Sequence, residues 1–197
     1  MVLVTGGTGF IGKILVRSLI NSGVDLRLLS RRKVDGLDTV VCDFQYDNIP
    51  KNSFQDIDTV FHLAGFAHDF REASKVESIY QIINVETTVK LAELSVKNKV
   101  KKFIFVSSVK AGGSAIKGKC SSEDLQGKPE GIYGKTKREA ELKILEIGRK
   151  SNMHVSIVRP ALVYGPEVKG NLRKMYLGIK KGWFPPLPET GNIRSMI

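Results

Sequence analysis

Six short apolar runs recur along the chain, at 2–5, 25–30, 38–42, 58–63, 102–107 and 154–159, each rich in Val, Ile, Leu or Phe. Between them, stretches near 10–22, 74–97, 132–150 and 170–182 space their apolar residues with the period of a helix. Strands of that length alternating with helices predict a parallel sheet covered on both faces, so the expected fold class is α/β and doubly wound. The segment 111–131, AGGSAIKGKCSSEDLQGKPEG, is polar and glycine-rich and reads as a long surface loop. Loops of that length in compact domains commonly carry function. The stretch Gly182-Trp183-Phe184-Pro185-Pro186-Leu187-Pro188 breaks the last helical pattern, and no internal repeat is present. A chain of 197 residues has room for one well-buried domain.

The first strand-to-helix junction, MVLVTGGTGFIG, holds four glycines, and Gly6, Gly9 and Gly12 fall in the spacing G-x-x-G-x-x-G. Glycine there allows a tight turn and removes the Cβ that would keep a pyrophosphate from the backbone. The phosphate charge then meets the amides at the start of the helix, around Gly9, Phe10, Ile11 and Gly12. A strand before and a helix after make this more than a turn signal. Further on, Ile132-Tyr133-Gly134-Lys135-Thr136-Lys137 contains Y-x-x-x-K, which puts Tyr133 and Lys137 on one helix face.

The net charge of +11 raises the question of a nucleic-acid partner. The lysines are spread along the chain, and the densest run, Lys97-Asn98-Lys99-Val100-Lys101-Lys102, has no interleaved aromatics. The expectation is no nucleic acid, with a positive surface that draws in anionic small molecules. Cys42 and Cys120 have no metal-ligand spacing, so no metal is expected and both read as reduced thiols. No apolar stretch approaches the roughly 18 residues of a membrane span. The chain opens on a strand rather than a leader pattern, which leads to the expectation of a cytoplasmic protein.

The glycine spacing differs by one residue from the usual G-x-G-x-x-G, and TGGTGFIG resembles the extended branch of the short-chain dehydrogenase/reductase superfamily. Within it the likeness is to the NAD(P)-dependent nucleotide-sugar epimerases and dehydratases, of the UDP-glucose 4-epimerase type. The resemblance implies a Rossmann-type sheet, with 1–165 as the NAD(P)-binding domain and 166–197 as the beginning of a substrate-binding region. The rest of the C-terminal substrate domain of such enzymes is expected to be largely absent from this sequence. In NAD-binding members an acidic residue ends the second strand; here the strand ends in Ser30-Arg31-Arg32. Arginine pairs with a 2′-phosphate where a carboxylate would repel it, so NADP is favoured, with NAD as the alternative. Asp43 matches the family's adenine-binding acid, with Phe44 beside it, and Phe61-His62-Leu63-Ala64-Gly65 matches the strand end that lies along the cofactor, through Leu63, Ala64 and Gly65. His62 itself reads as a core or strand-end histidine.

Ser107-Ser108 after Phe103-Ile104-Phe105-Val106, followed by Tyr133 and Lys137, has the order of the family's serine, tyrosine and lysine. The resemblance makes Tyr133 the general acid/base and has Lys137 lower its pKa while binding the nicotinamide ribose. Ser108 would bond the substrate oxygen; the FIF-x-S-S pattern favours it over Ser107. A tyrosine of pKa near 10 needs about 4 kcal/mol to ionise at pH 7, which nearby positive charge can supply. Asn84 falls where the family carries a helix asparagine that supports this set. Arg159-Pro160-Ala161-Leu162-Val163-Tyr164-Gly165-Pro166 resembles a segment whose backbone, through Pro160 and Val163, meets the nicotinamide carboxamide. Asn171, Leu172 and Arg194 match the region that holds the sugar nucleotide, and Lys110 adds positive charge beside Ser108.

The implied activity is epimerisation at C4 of a UDP-sugar by hydride transfer. Two alternatives stand beside it: a UDP-sugar 4-keto reductase or dehydrogenase of polysaccharide precursor synthesis, and a non-catalytic NAD(P)-binding module. A homodimer is common in the family and nothing in the sequence decides it.

Overall fold

The computed structural model describes residues 1–67, 73–114, 122–123, 127–168, 170–183 and 196–197. Two compact units divide it, Met1–Arg159 and Pro160–Ile197. In the first, strands β1 (Val2–Thr5), β2 (Leu26–Ser30), β3 (Asp38–Val41), β4 (Thr59–His62), β5 (Lys102–Val106) and β6 (His154–Val158) form one sheet. Every pairing is parallel, and the strand order is β3-β2-β1-β4-β5-β6. This is a Rossmann-type doubly wound sheet, as the alternating pattern predicts.

β1 is buried along its whole length, which is why its apolar run does not alternate with polar residues. Leu3, with Leu29, Val60, Phe103 and Phe105, packs on one face of the sheet against Leu91, Ala92, Ala140 and Ile144. Val2 and Val4, with Leu26 and Leu28, pack on the other face against Val16. The covering residues come from α1 (Phe10–Asn21) on one side, and from α3 (Thr87–Lys97) and α5 (Gly131–Arg149) on the other. Successive strand residues therefore feed two cores, as the pleat requires.

The expected helix over 74–97 is divided. It runs as α2 (Ala73–Tyr80), a π turn (Gln81–Glu86) and α3. Thr88 donates its hydroxyl to the Asn84 carbonyl at 2.8 Å, a side-chain bond that competes with the regular ladder. The expected loop 111–131 is shorter: Ala111 and Gly112 end a short helix, α4 (Val109–Gly112), and Gly131 opens α5; 115–121 and 124–126 lie outside the described residues. Cys42 is buried and free, and burial pushes its thiol up to about 11. Cys120 lies outside the described residues.

The second unit contains α6 (Gly170–Lys180), within the 170–182 expected as helix, and a parallel bridge between Leu162 and Met196. Tyr164 donates its amide to the Ile197 carbonyl there.

Candidate active site at the carboxyl edge of the sheet

β2 and β3 follow β1 on one side, and the chain then crosses to lay β4 on the other side. That reversal opens a crevice beyond the carboxyl ends of β1 and β4, the place where α/β sheets bind ligands. The turn after β1 fills part of it. Gly6 takes φ +69°, and a Cβ on it would lie 2.6 Å from the Ala64 nitrogen. A Cβ on Gly12 would lie 2.1 Å from the Gly6 carbonyl oxygen, so helix α1 packs directly on the turn. Gly9 is the exposed member, with an ordinary φ of −77°. It opens α1 with no side-chain cap, and the first turn has no acidic residue. The three glycines thus divide the work: Gly6 makes the turn, Gly12 permits the packing, and Gly9 leaves the approach clear. Uncapped amides of Phe10, Ile11 and Gly12 under a positive dipole end suit an anionic diphosphate. A dinucleotide fits these residues.

The neighbouring strand ends extend the crevice. Ser30 closes β2, its carbonyl held by the Cys42 amide at 2.9 Å, and Arg31 and Arg32 follow, both exposed. Asp43 is half-buried; one carboxylate oxygen accepts the Gln45 amide at 3.1 Å, and its own amide donates to the Asp47 carboxylate at 2.6 Å. Phe44 meets the His62 ring edge-on at 6.5 Å. After β4, the Leu63 amide bonds the Thr5 carbonyl, and Ala64 and Gly65 turn past Gly6.

Beyond β5, Ser108 begins α4 and its hydroxyl accepts the Lys110 amide at 3.3 Å. Ser108 also lies close enough to the Tyr133 phenol on α5 to act on that group's pKa. Burial and Tyr80 raise the Tyr133 pKa above its ordinary value, with Ser108 pulling the other way. Tyr80 packs on Tyr133 edge to face at 6.4 Å, and on Phe66 at 4.9 Å. Ser107 is buried and its hydroxyl has no partner among the described residues. Lys110 is exposed.

Lys137 lies one turn along α5 from Tyr133, only 2% exposed. Its ammonium donates to the Val106 carbonyl at 2.9 Å and sits 4.2 Å from the centre of the Phe105 ring. Burial lowers its pKa to about 7, against a smaller upward pull from Glu141. The ammonium is thus bonded to β5 rather than to the phenol, and the phenol stays protonated in this arrangement. Gly65 passes close by: a Cβ on it would lie 3.5 Å from the Lys137 nitrogen, an ordinary contact, and 3.2 Å from Asn84 Oδ1, a tight one. Asn84 is buried and spends its amide on the site's frame. Its Oδ1 accepts the Phe66 amide at 2.7 Å, and its Nδ2 donates to the Phe66 carbonyl at 3.0 Å and to Thr136 at 3.3 Å.

The glycine turn, Asn84 and the Ser108–Tyr133–Lys137 set all belong to the first unit and cluster at its carboxyl edge. Pro160 and Val163 belong to the second unit, as do Asn171 and Leu172 in the first turn of α6. Arg194 lies outside the described residues. The sequence reading passed over Glu141, 1% exposed, which holds Arg159 through both carboxylate oxygens, at 2.9 and 2.5 Å. A carboxylate four residues past Lys137 on the buried face of α5 was the available signal. Among the described residues no helix is long and apolar enough to cross a membrane.

The model of the NAD dependent epimerase/dehydratase family matches residues 2–192. The chain belongs to this family. The UDP-glucose 4-epimerase of Vibrio cholerae is 36% identical over 207 residues, covering all of this chain and 62% of that protein. MoeE5, solved in complex with UDP-glucose and NAD, superposes with a TM-score of 0.81 at 32% identity, over 92% of this chain and 61% of that one. The UDP-glucuronic acid 4-epimerase of Bacillus cereus, solved with UDP-glucuronic acid and NAD, gives 0.80 at 25% identity, over 92% and 63%. The chain therefore spans about three-fifths of the length of these family relatives.

Proposed function

We propose that this chain binds a nicotinamide dinucleotide and a UDP-sugar and acts at C4 of the sugar, as an epimerase. The observation that carries the reading is Ser108 beside the Tyr133 phenol, with Lys137 on the same face of α5, at the sheet edge that also bears the glycine turn. The cofactor supplies hydride acceptance and return at the sugar carbon. Ser108 orients the C4 hydroxyl, and Tyr133 removes its proton as the carbon is oxidised and returns it on reduction. Lys137 would hold the nicotinamide ribose and supply positive charge near the phenol. Tyr80, itself packed on Phe66, covers part of the half-buried Tyr133 ring, and partial burial strengthens electrostatic contacts there. Lys110 adds positive charge beside Ser108; by the family resemblance, Asn171, Leu172 and Arg194 would be sugar-nucleotide residues.

The exposed pair Arg31-Arg32 favours NADP through bidentate pairing with the 2′-phosphate, whereas MoeE5 is solved with NAD. Asp43 and Phe44 would hold the adenine.

The test compares the chain with Tyr133→Phe. The oxidised dinucleotides NADP+ and NAD+, and UDP-glucose, are each added at about a hundred times their dissociation constant, where a bound ligand adds about 2.7 kcal/mol of stability. Both proteins are expected to gain stability from a dinucleotide, and only the unaltered chain to interconvert the sugar with no net change in nicotinamide absorbance. Turnover that survives in Tyr133→Phe removes the acid/base assignment. Stability unmoved by either dinucleotide removes the reading as a whole.

A further inference from the structure

One chain of hydrogen bonds crosses the interior behind the site. The Ala64 amide donates to Thr5 Oγ1 at 3.2 Å, and Thr5 Oγ1 meets His62 Nδ1 at 2.6 Å. His62 Nε2 meets Thr88 Oγ1 at 2.8 Å, and Thr88 donates to the Asn84 carbonyl at 2.8 Å. Thr5, His62 and Thr88 are fully buried, so each proton needs a partner within this set. Burial, with the nearby Lys137 ammonium, pushes the His62 pKa down to about 3, so the ring is neutral.

Of the two neutral tautomers, one uses every group. With the proton on Nε2, His62 donates to Thr88, which donates to Asn84; Nδ1 accepts from Thr5, which accepts from Ala64. With the proton on Nδ1, Thr5 would accept twice and its own hydroxyl proton would face no acceptor. The chain of bonds therefore has one direction, from Ala64 to Asn84. Both ends are parts of the site: Ala64 abuts Gly6, and Asn84 clamps Phe66 and Thr136 beside Lys137. The His62 ring also stacks on Phe105 at 5.4 Å, and Phe105 lies under the Lys137 ammonium.

We propose that His62 is a positioning residue: held as the Nε2–H tautomer, it ties the glycine cradle at β1 and β4 to the π turn that presents Asn84. The inference rests on the reading of this site as a dinucleotide site and adds the residue that keeps its two halves in register.

Two measurements on the 197-residue chain test it. Nitrogen-15 NMR without cofactor reads the His62 tautomer and the side-chain amide of Asn84. Fluorescence titration reads the dissociation constants of NADPH and NADH. His62→Phe keeps a ring on Phe105 and loses both bonds, while His62→Gln restores a donor toward Thr88. The unaltered chain is expected to show the Nε2–H form, and His62→Phe to shift the Asn84 amide. The same variant is expected to bind the reduced cofactor about tenfold more weakly, and His62→Gln to return within about threefold. An Nδ1–H tautomer overturns the proposal, as does His62→Phe with an unmoved Asn84 amide and unchanged affinity. Should His62→Phe not fold, Thr88→Val removes the hydroxyl at the other end and carries the same expectations. If the unaltered chain binds neither dinucleotide, the proposed function fails, and the NMR measurement alone decides the relay.

Discussion

Replacing Lys137 with methionine keeps a long unbranched side chain against Phe105 and removes an ammonium that is only 2% exposed. Burial takes the group's pKa from 10.5 to about 7. Between those values the unfolded chain binds more protons than the folded one, so stability rises with pH across that window. At pH 7 the lysine costs the fold about 4 kcal/mol, and at pH 9.5 about 1 kcal/mol, from the ratio of the two binding polynomials. Methionine abandons the bond to the Val106 carbonyl, a loss of about 1–3 kcal/mol. Lys137→Met is therefore expected to be more stable than the unaltered chain at pH 7, by about 1–3 kcal/mol, and no more stable at pH 9.5. Urea unfolding of both proteins at the two pH values, without cofactor, measures this. Tyr133 has its own raised pKa, but it is present in both proteins and cancels in the difference. A difference in unfolding free energy that stays constant from pH 7 to 9.5 would refute the buried-charge argument. The outcome would also show stability given up at a position proposed to be functional, which is a recurrent pattern.

Gly12→Ala is expected to lose about 3 kcal/mol or fail to fold, since its Cβ would meet backbone at 2.1 Å, whereas Gly9→Ala should stay within about 1 kcal/mol and bind dinucleotide at least tenfold more weakly. Urea melts and cofactor titration separate the two, and equal behaviour would undo the division of work among the glycines. Removing Arg31 and Arg32 together (both to Ala) is expected to weaken NADPH about tenfold and leave NADH within about threefold. Equal losses for the two cofactors would remove the basis for preferring NADP. Glu141→Gln removes the buried carboxylate charge that holds Arg159 through both oxygens, at an expected loss of about 3 kcal/mol, or roughly 6–12 °C in Tm for a chain of this size. A Tm within about 2 °C would show the pair to be dispensable.

The strands and the glycine cradle were legible because their signals are local: apolar runs of strand length and glycines at a junction. Y-x-x-x-K was legible for the same reason, being one turn of one helix. What lay beyond the sequence depends on contacts far apart in the chain. His62 meets residues 57 and 26 positions away, and its ring nitrogens gave no sign of those partners. Lys137 finds its acceptor on a strand 31 residues earlier, so its depressed pKa could not be read from α5. The π turn was hidden because the apolar spacing over 74–97 suits a continuous helix; the deviation is tied to Thr88 and to the clamp on Asn84. The Glu141–Arg159 pair spans 18 residues and joins a helix to the end of β6.

The placing of β1 inside the sheet bears on how the chain is made. Its edge facing β2 can be satisfied early, because β2 and β3 leave the ribosome next. The edge facing β4 must wait for a partner 57 residues later, counted from Thr5 to His62. At a synthesis rate of about 5–20 residues per second, that edge stays open for about 3–11 s. During that time Val2, Leu3 and Val4 present an unpaired apolar strand, the kind of surface that invites pairing with other chains. The most buried strand of the finished protein is thus the one longest at risk while it is being built.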